Sequence, residues 1–195
     1  MSFFKKLFSN IRSSKENAAK MQEVHLSLDD AFVHNFINKG GKFLYCITEK
    51  EVANNIDRIV EENKWKGVTC IDKGIKKYLK KAKLKVSTNF EKSIPFFTTC
   101  EHLISDNGDI LFSSNQLSTH KIASLTDNFI VFARTSQLVK NTGQGLTGIK
   151  SNFKENIPTN ISAVKNYTVE KNDDNFLNYG NSNSKDLYLL LLEDL

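Results

Sequence analysis

Two short apolar runs constrain the fold of this chain more than any other feature of its sequence. Residues 129–133 read FIVFA and residues 187–192 read LYLLLL, and neither run contains a charged side chain. A strand with one face in water alternates apolar and polar residues, whereas an unbroken apolar run is typical of a strand that is covered on both faces. We therefore expect both runs to form interior strands of a sheet.

Strand-like and helix-like segments alternate along the chain before these runs. Residues 42–47 and 68–71 have the length and composition of buried strands, and residues 49–63 carry apolar residues at helical spacing. Strands that alternate with helices over short connections predict a parallel sheet with right-handed crossovers. The sequence thus predicts the α/β class, with three α/β/α layers around a mostly parallel sheet.

Two other segments have a helical pattern. Residues 28–39 place Phe32, Phe36 and Ile37 on one side, which we expect to be buried. Residues 73–85 are rich in lysine and, read as a helix, place Ile75, Tyr78, Leu79 and Ala82 on one apolar stripe, while residues 85–87 predict a further short strand. The lysines fall largely outside this stripe, which favours a solvated outer face over a nucleic-acid-binding patch. No nucleic-acid partner is expected.

The dipeptide Asn107-Gly108 is the strongest local turn signal in the chain. Apolar residues flank it on both sides, with Leu103 and Ile104 before it and residues 110–112 after it. A two-residue loop of the type I′ class needs positive φ at both central positions, which Asn and Gly adopt at low cost. We predict an antiparallel β-hairpin with this loop at its tip.

The three cysteines, Cys46, Cys70 and Cys100, are widely spaced, and each lies in or beside an apolar run. An odd, dispersed set does not predict a disulfide framework or a closed metal site, so we expect buried, reduced thiols in a cytoplasmic protein. No metal or cofactor is predicted. Residues 142–148 contain three glycines, but their spacing differs from that of a phosphate loop. A loop that leads into a helix through about Asn156 is favoured.

The first 24 residues form an amphipathic basic segment and a polar linker. Phenylalanine, leucine and isoleucine side chains would line one side of a helix over residues 3–11, with lysines around the rest. This segment could dock on a partner, contact a membrane surface weakly, or remain a tail. Residues 25–195 are expected to form one domain. No window is apolar for 18 residues, so no transmembrane helix is predicted.

Polar residues follow the predicted strands, at the edge where an open α/β sheet binds ligands. Arg134 closes a buried strand, where it could meet an anionic small molecule or form a salt bridge at the sheet edge. Glu101 is a candidate base or nucleophile, or a structural carboxylate at the hairpin. The candidate ligand-binding residues are Asn107, Gly108, Ser113, Ser114, Gln116, Arg134, Thr135, Ser136 and Gln137.

The order of these features resembles the LUD domain family. The resemblance is carried by Cys100-Glu101, the hairpin with its glycine turn, Ser113-Ser114, the apolar strand and then residues 135–139 (TSQLV), and it extends from about Gly40 onward. That family includes the C subunit of the bacterial lactate-utilisation system. The resemblance implies an accessory subunit or small-ligand-binding module in lactate (2-hydroxy acid) utilisation, beside an iron–sulfur partner subunit.

The same resemblance leaves an enzymatic alternative open. The fold superfamily that the LUD domain resembles contains CoA-transferases and ribose-phosphate isomerase, and some of its members use a carboxylate as nucleophile or base. By that analogy the chain would be a stand-alone enzyme that acts on a phosphorylated sugar, a folate or a CoA ester, with Glu101 at its centre. The oligomeric state does not follow from the sequence.

Overall fold

A computed structural model of the chain describes residues 26–80, 84–168 and 183–194. The described residues form four α-helices: α1 (Leu28–Asn38), α2 (Glu49–Glu62), α3 (Ser114–Leu117) and α4 (Thr142–Asn152). They also form ten strands: β1 (Lys42–Cys46), β2 (Gly67–Thr69), β3 (Lys85–Ser87), β4 (Phe96–Thr98), β5 (His102–Ile104), β6 (Asp109–Phe112), β7 (Asn128–Arg134), β8 (Leu138–Val139), β9 (Ser162–Val164) and β10 (Asp186–Leu192). The predicted amphipathic segment over residues 1–24 lies outside the described residues.

Six strands form the main sheet, in the order β1-β10-β7-β4-β2-β3. Each neighbouring pair is parallel, and β10 pairs with β7 along its whole length, from Asp186 opposite Asn128 to Leu192 opposite Arg134. These two strands contain the apolar runs at residues 129–133 and 187–192, and both runs are buried. The α/β class and the mostly parallel sheet are therefore confirmed.

A hydrophobic core lies on each face of the main sheet. Alternate residues of β7 point to opposite faces, so that Phe129 and Val131 join one core while Ile130 and Phe132 join the other. The second of these cores is closed by α2 and by a short 3₁₀ turn at Lys76–Leu79. The first core is closed by α1 and by a second sheet.

The second sheet was not predicted. Its strands are ordered β8-β5-β6-β9 and are mixed in direction, with β5 and β6 forming the predicted antiparallel hairpin. β8 has only two residues, which is too few for an alternating apolar–polar pattern to indicate a strand. Strand formation there depends on pairing with neighbours from distant parts of the chain.

The predicted type I′ loop at the tip of the hairpin is wrong. Ile104 pairs with Asp109, so the loop has four residues, and only Gly108 adopts a positive φ, of 71°. The loop closes by a hydrogen bond from the Gly108 amide to the Ile104 carbonyl (2.7 Å), and Asn107 Oδ1 accepts from the Asp109 amide (3.1 Å). The side chain of Asn107 thus stabilises the turn in place of a left-handed backbone.

Among its described residues, the lysine-rich segment forms only the 3₁₀ turn at Lys76–Leu79, so the helix expected there is wrong. Helix propensity is a weak guide that tertiary packing can override. The short strand predicted at residues 85–87 is confirmed as β3, which pairs with β2. Ile75, Tyr78 and Leu79 are buried as predicted, whereas Ala82 falls outside the described residues.

Two smaller corrections concern α1 and α4. In α1 the buried residues are Phe32, Val33 and Phe36, while Ile37 is exposed. The predicted loop over residues 142–148 is the first part of α4, and the helix ends at Asn152. A Cβ at Gly145 would lie 2.9 Å from Leu111 Cδ1, so this glycine allows the helix to pack closely on the second sheet. No helix in residues 26–80, 84–168 or 183–194 is long and apolar enough to span a bilayer.

Candidate functional site

The strands of the main sheet end along one edge, which we call the carboxyl edge. Because the strands are parallel, the residues that follow β1, β10, β7, β4 and β2 come to this edge in that order. They bring together Glu49, Asp194, Arg134, Glu101 and Asp72. The prediction that polar residues after the strands share one edge of the sheet agrees with this topology.

Arg134, the last residue of β7, lies at the middle of the carboxyl edge and is half-buried. Its guanidinium carbon lies 5.5 Å from the centre of the Phe132 ring. The guanidinium donates no hydrogen bond to the described residues and forms no ion pair with them. Its charge nevertheless helps to lower the pKa of the flanking carboxyls of Glu49 and Asp194. Among the described residues, the predicted salt bridge at the sheet edge is thus not formed.

Thr135 and Ser136, which follow Arg134, hold the carboxylate of Asp194. Asp194 Oδ1 accepts from Thr135 Oγ1 (2.8 Å) and from the Ser136 amide (2.9 Å), and Oδ2 accepts from Ser136 Oγ (2.7 Å). Desolvation would raise the pKa of Asp194, but the bonds from Ser136 and Thr135 and the charge of Arg134 outweigh it, so the pKa is lowered. Asp194 is therefore a carboxylate at pH 7, bound as an anion would be.

A second cation lies near the same edge and is already paired. Lys77 Nζ lies 2.7 Å from each carboxylate oxygen of Glu49. The hydrogen bond from Lys77 is the largest cause of the lowered pKa of Glu49. Both side chains are about half exposed. Arg134, by contrast, is a half-buried cation at this edge whose hydrogen-bond donors remain unused within the described residues.

Glu101 lies at the open end of the hairpin and is fixed through one carboxylate oxygen. Its Oε1 accepts from Ser113 Oγ (2.6 Å), Asn115 Nδ2 (2.9 Å) and Gln116 Nε2 (3.1 Å). Ser113 and Gln116 also form the capping box at the start of α3. Asn115 is not among the predicted ligand-binding residues, although Ser114 and Gln116 on either side of it are.

Gln137 connects the end of β7 with the segment that contains Glu101. Its Nε2 donates to the Cys100 carbonyl (2.6 Å) and to the Glu101 carbonyl (3.2 Å), while its Oε1 accepts from the Arg134 amide (2.8 Å). Both ends of this amide are used within the protein. We interpret Gln137 as a brace that fixes Arg134 relative to Glu101.

The remaining predicted residues lie farther from this edge or have partners. Asn107 and Gly108 are at the tip of the hairpin, the end opposite Glu101, where Gly108 packs against α1. Ser114 Oγ accepts from the Thr159 amide (3.0 Å). Asp194 was not predicted, although the rule that selects polar residues after buried strands would have found it directly beyond β10.

The three cysteines also lie near the carboxyl ends of strands, and their predicted burial is confirmed. Burial raises the pKa of Cys70 to about 11 and raises that of Cys46 and Cys100 as well. Such thiols remain protonated at pH 7 and are poor nucleophiles and metal ligands. In the part of the chain that the structure describes, no group of three His, Cys, Asp or Glu side chains is arranged to hold a metal ion.

The fold and this arrangement can be compared with known proteins. Among solved structures, the chain is similar to a DUF162 family protein from Deinococcus radiodurans, with a TM-score of 0.61 and 14% identity over 87% of this chain and 99% of that chain. At that identity the likeness shows the shared fold. No curated protein matches the chain. The LUD domain matches residues 71–192, which is more than half of the chain. The matched region includes Glu101, Arg134 and the two buried strands β7 and β10. The chain therefore belongs to the LUD domain family.

Proposed function

We propose that this LUD-domain protein binds a small anionic molecule at the carboxyl edge of its main sheet and serves lactate (2-hydroxy acid) utilisation as a cytoplasmic accessory subunit. The link to lactate rests on the name of the family and on the resemblance to the C subunit of the lactate-utilisation system. The anion site rests on the structure. An iron–sulfur subunit is the proposed partner, again from the resemblance alone.

The observation that carries the proposal is the guanidinium of Arg134, which has no hydrogen-bond or ion-pair partner among the described residues. A guanidinium has five N–H donors in a fixed fork that matches a carboxylate or phosphate in a bidentate pair. This one is half-buried at the end of a central strand and gives none of its hydrogen bonds to the described residues. A partly desolvated charge of this kind gains most from an anion, because charge-assisted hydrogen bonds are about twice as strong as neutral ones.

A 2-hydroxy acid suits the groups near Arg134. Its carboxylate would pair with the guanidinium, and its hydroxyl group can donate to the hydroxyl oxygen of Ser136. Ser113, Gln116 and Gln137 brace the neighbouring backbone instead of facing a ligand with unused groups. For Asn107 and Gly108, at the other end of the hairpin, we propose no part in this site.

Isothermal titration with L-lactate, oxalate and inorganic phosphate tests the anion site. Arg134→Gln is expected to weaken binding about tenfold or more, because it removes the charge and the paired donors of the guanidinium and leaves a shorter, neutral polar side chain. The matched control is Arg58→Gln, since Arg58 is exposed on α2. Equal affinity of both variants and the wild type would show that Arg134 is not the anion contact.

Co-purification from the native cells tests the accessory role. A tagged chain that brings down an iron–sulfur protein in stable association would support an accessory subunit. A chain that is recovered alone, as a monomer or homodimer, while it still binds 2-hydroxy acids would contradict the partnership and leave the anion site in place.

A second function is favoured by the geometry of Glu101. Three side-chain donors fix Oε1, while Oε2 accepts no hydrogen bond from the described residues. A carboxylate that is held by one oxygen and open at the other is suited to act as a base or nucleophile toward a phosphorylated sugar, a folate or a CoA ester.

Glu101→Gln distinguishes catalysis from structure. The glutamine carbonyl can still accept the three hydrogen bonds, so the melting temperature should be nearly unchanged, while turnover of an acyl-CoA in a transferase assay should be lost. Ser114→Ala is a matched control at the other side of α3, because Ser114 bonds Thr159 and not Glu101. A large drop in melting temperature for Glu101→Gln would assign the residue a structural role.

A further inference from the structure

The bonds around Asp194 form a complete binding site for a carboxylate. Two hydroxyls and a backbone amide, from Thr135 and Ser136, donate to its two oxygens at 2.7 to 2.9 Å. The Asp194 amide in turn donates to Thr135 Oγ1 (3.0 Å), so this hydroxyl is fixed in its role as a donor. These hydrogen bonds are short, their donors are neutral, and all of them point to one carboxylate. The guanidinium of Arg134 lies beside them.

The occupant of this site is held by its side chain and not by the sheet. β10 ends at Leu192, and the Glu193 amide still donates to the Cys46 carbonyl (2.9 Å). Asp194 is the next residue, and it is exposed to solvent. Rotation of its side chain would therefore break the three side-chain bonds to Thr135 and Ser136 without disturbing the pairing of β10 with β1 or β7.

We propose that Thr135 and Ser136 form a carboxylate-binding cradle, that Asp194 occupies it in the absence of ligand, and that a small carboxylic acid displaces Asp194 when it binds. The inference rests on the anion site proposed above and specifies its ligand as a carboxylate. The incoming carboxylate accepts the hydrogen bonds that Thr135 and Ser136 had donated to Asp194. It also pairs with the guanidinium of Arg134, which donates no hydrogen bond to Asp194 or to any other described residue. Asp194 thus acts as an internal competitor.

The charge at this edge favours a single carboxylate over phosphate. Glu49 and Asp194 flank Arg134, and both are ionised at pH 7, since their pKa values lie below the ordinary carboxyl range. Two nearby negative charges repel a dianion more strongly than a monoanion. We therefore expect L-lactate to bind more tightly than inorganic phosphate.

Titration of L-lactate into Asp194→Ala tests the displacement. Removing the competitor should tighten binding about tenfold relative to wild type, because the ligand no longer has to replace a bound carboxylate. Asp194→Asn should tighten it less, since the amide oxygen still accepts two of the bonds. The control is Asp106→Asn, at an exposed site on the hairpin loop, which should leave affinity unchanged.

The amide resonance of Ser136 provides a second readout that a purely structural Asp194 would not move. Saturating L-lactate should shift this resonance in the wild type, and Ser136→Ala should reverse the tightening that Asp194→Ala produces. If lactate binds in a way that needs Arg134 but Asp194→Ala binds it no better than wild type, the displacement is overturned and the anion site stands. If neither the wild type nor Asp194→Ala binds lactate, both proposals fail.

Discussion

Polar residues lie near both ends of the β5–β6 hairpin, yet the protein uses them differently. At the tip, the Gly108 carbonyl accepts from Tyr167 Oη (2.6 Å), and Asp109 pairs with Lys39 (2.9 Å). Near the open end lies the carboxyl edge, where Arg134 keeps its donors unused by the described residues and Asp194 is exposed. The tip is bound to the rest of the fold, while the carboxyl edge keeps donors that the described residues do not use.

The difference shows what separates a structural polar cluster from a candidate ligand site. Buried polar groups need partners, and at the tip those partners come from α1 and from Tyr167, both far away in the sequence. At the carboxyl edge the strands end, and no described helix or strand provides a hydrogen-bond partner for the guanidinium of Arg134. Its donors are the ones that the proposed ligand would use.

The largest effect that would test this comparison is expected at the tip. Gly108→Ala places a Cβ 2.6 Å from the Phe36 amide nitrogen and 2.7 Å from the Asn35 carbonyl carbon, at a φ of +71°. Backbone strain and the clash with α1 should together lower the free energy of unfolding by about 3 kcal/mol or more. Urea denaturation measures this.

Gly143→Ala is the control for that substitution. Gly143 lies in α4, and a Cβ there would meet only the exposed Asn141 side chain, at 3.3 Å. Stability should stay within about 1 kcal/mol of the wild type or rise, because alanine favours a helix. If both variants lost the same stability, the tip would not be the rigid end of the hairpin.

A smaller loss is expected from Tyr167→Phe. The Tyr167 hydroxyl is buried and donates to the Gly108 carbonyl (2.6 Å), with the Val164 carbonyl at 3.2 Å. Removing it leaves buried carbonyls without this donor and should cost about 1–2 kcal/mol in urea denaturation. Binding of anions at the carboxyl edge should not change. An altered lactate affinity would show that the two ends are coupled.

The hydrogen bonds from Thr135 and Ser136 to the Asp194 carboxylate should contribute stability that depends on pH. The pKa of Asp194 is lowered in the folded protein from its ordinary value of 3.8, so the contribution is fully present above pH 3.8 and is lost as the pH falls through the folded pKa. Asp194→Asn should thus be less stable than the wild type at pH 6, and the difference should shrink below pH 3.8. If the wild type and Asp194→Asn differed in stability by the same amount at pH 6 and at pH 3, the ionised carboxylate of Asp194 would not be the source of the difference.

The smallest effect is expected from Glu49→Gln. Its ion pair with Lys77 is half exposed on both sides, and surface pairs of this kind contribute little because water and salt screen them. The melting temperature should not change measurably at physiological salt. A clear drop would show that the carboxyl edge is braced as firmly as the tip, which would weaken the contrast between the two ends.

Local sequence pattern was enough to predict much of the fold. The apolar runs at residues 129–133 and 187–192 predicted the two central strands, because a strand covered on both faces has no reason to carry polar residues. The same argument placed Arg134 at the end of a buried strand. The helix expected in the lysine-rich segment and the type I′ loop at the tip of the hairpin were wrong, since tertiary packing overrides helix propensity and α1 packs against the loop at Gly108.

The sequence by itself determined that this chain forms a parallel α/β sheet with a hairpin and that polar residues follow its strands, because burial imposes a period and a composition that can be read locally. Only the tertiary structure decided which of those polar residues form hydrogen bonds within the protein. Gln137, Ser113 and Asn107 have partners, Arg134 does not donate to the described residues, and Asp194 fills the donors of Thr135 and Ser136. Hydrogen bonding between distant segments depends on distances in space, which no local pattern records.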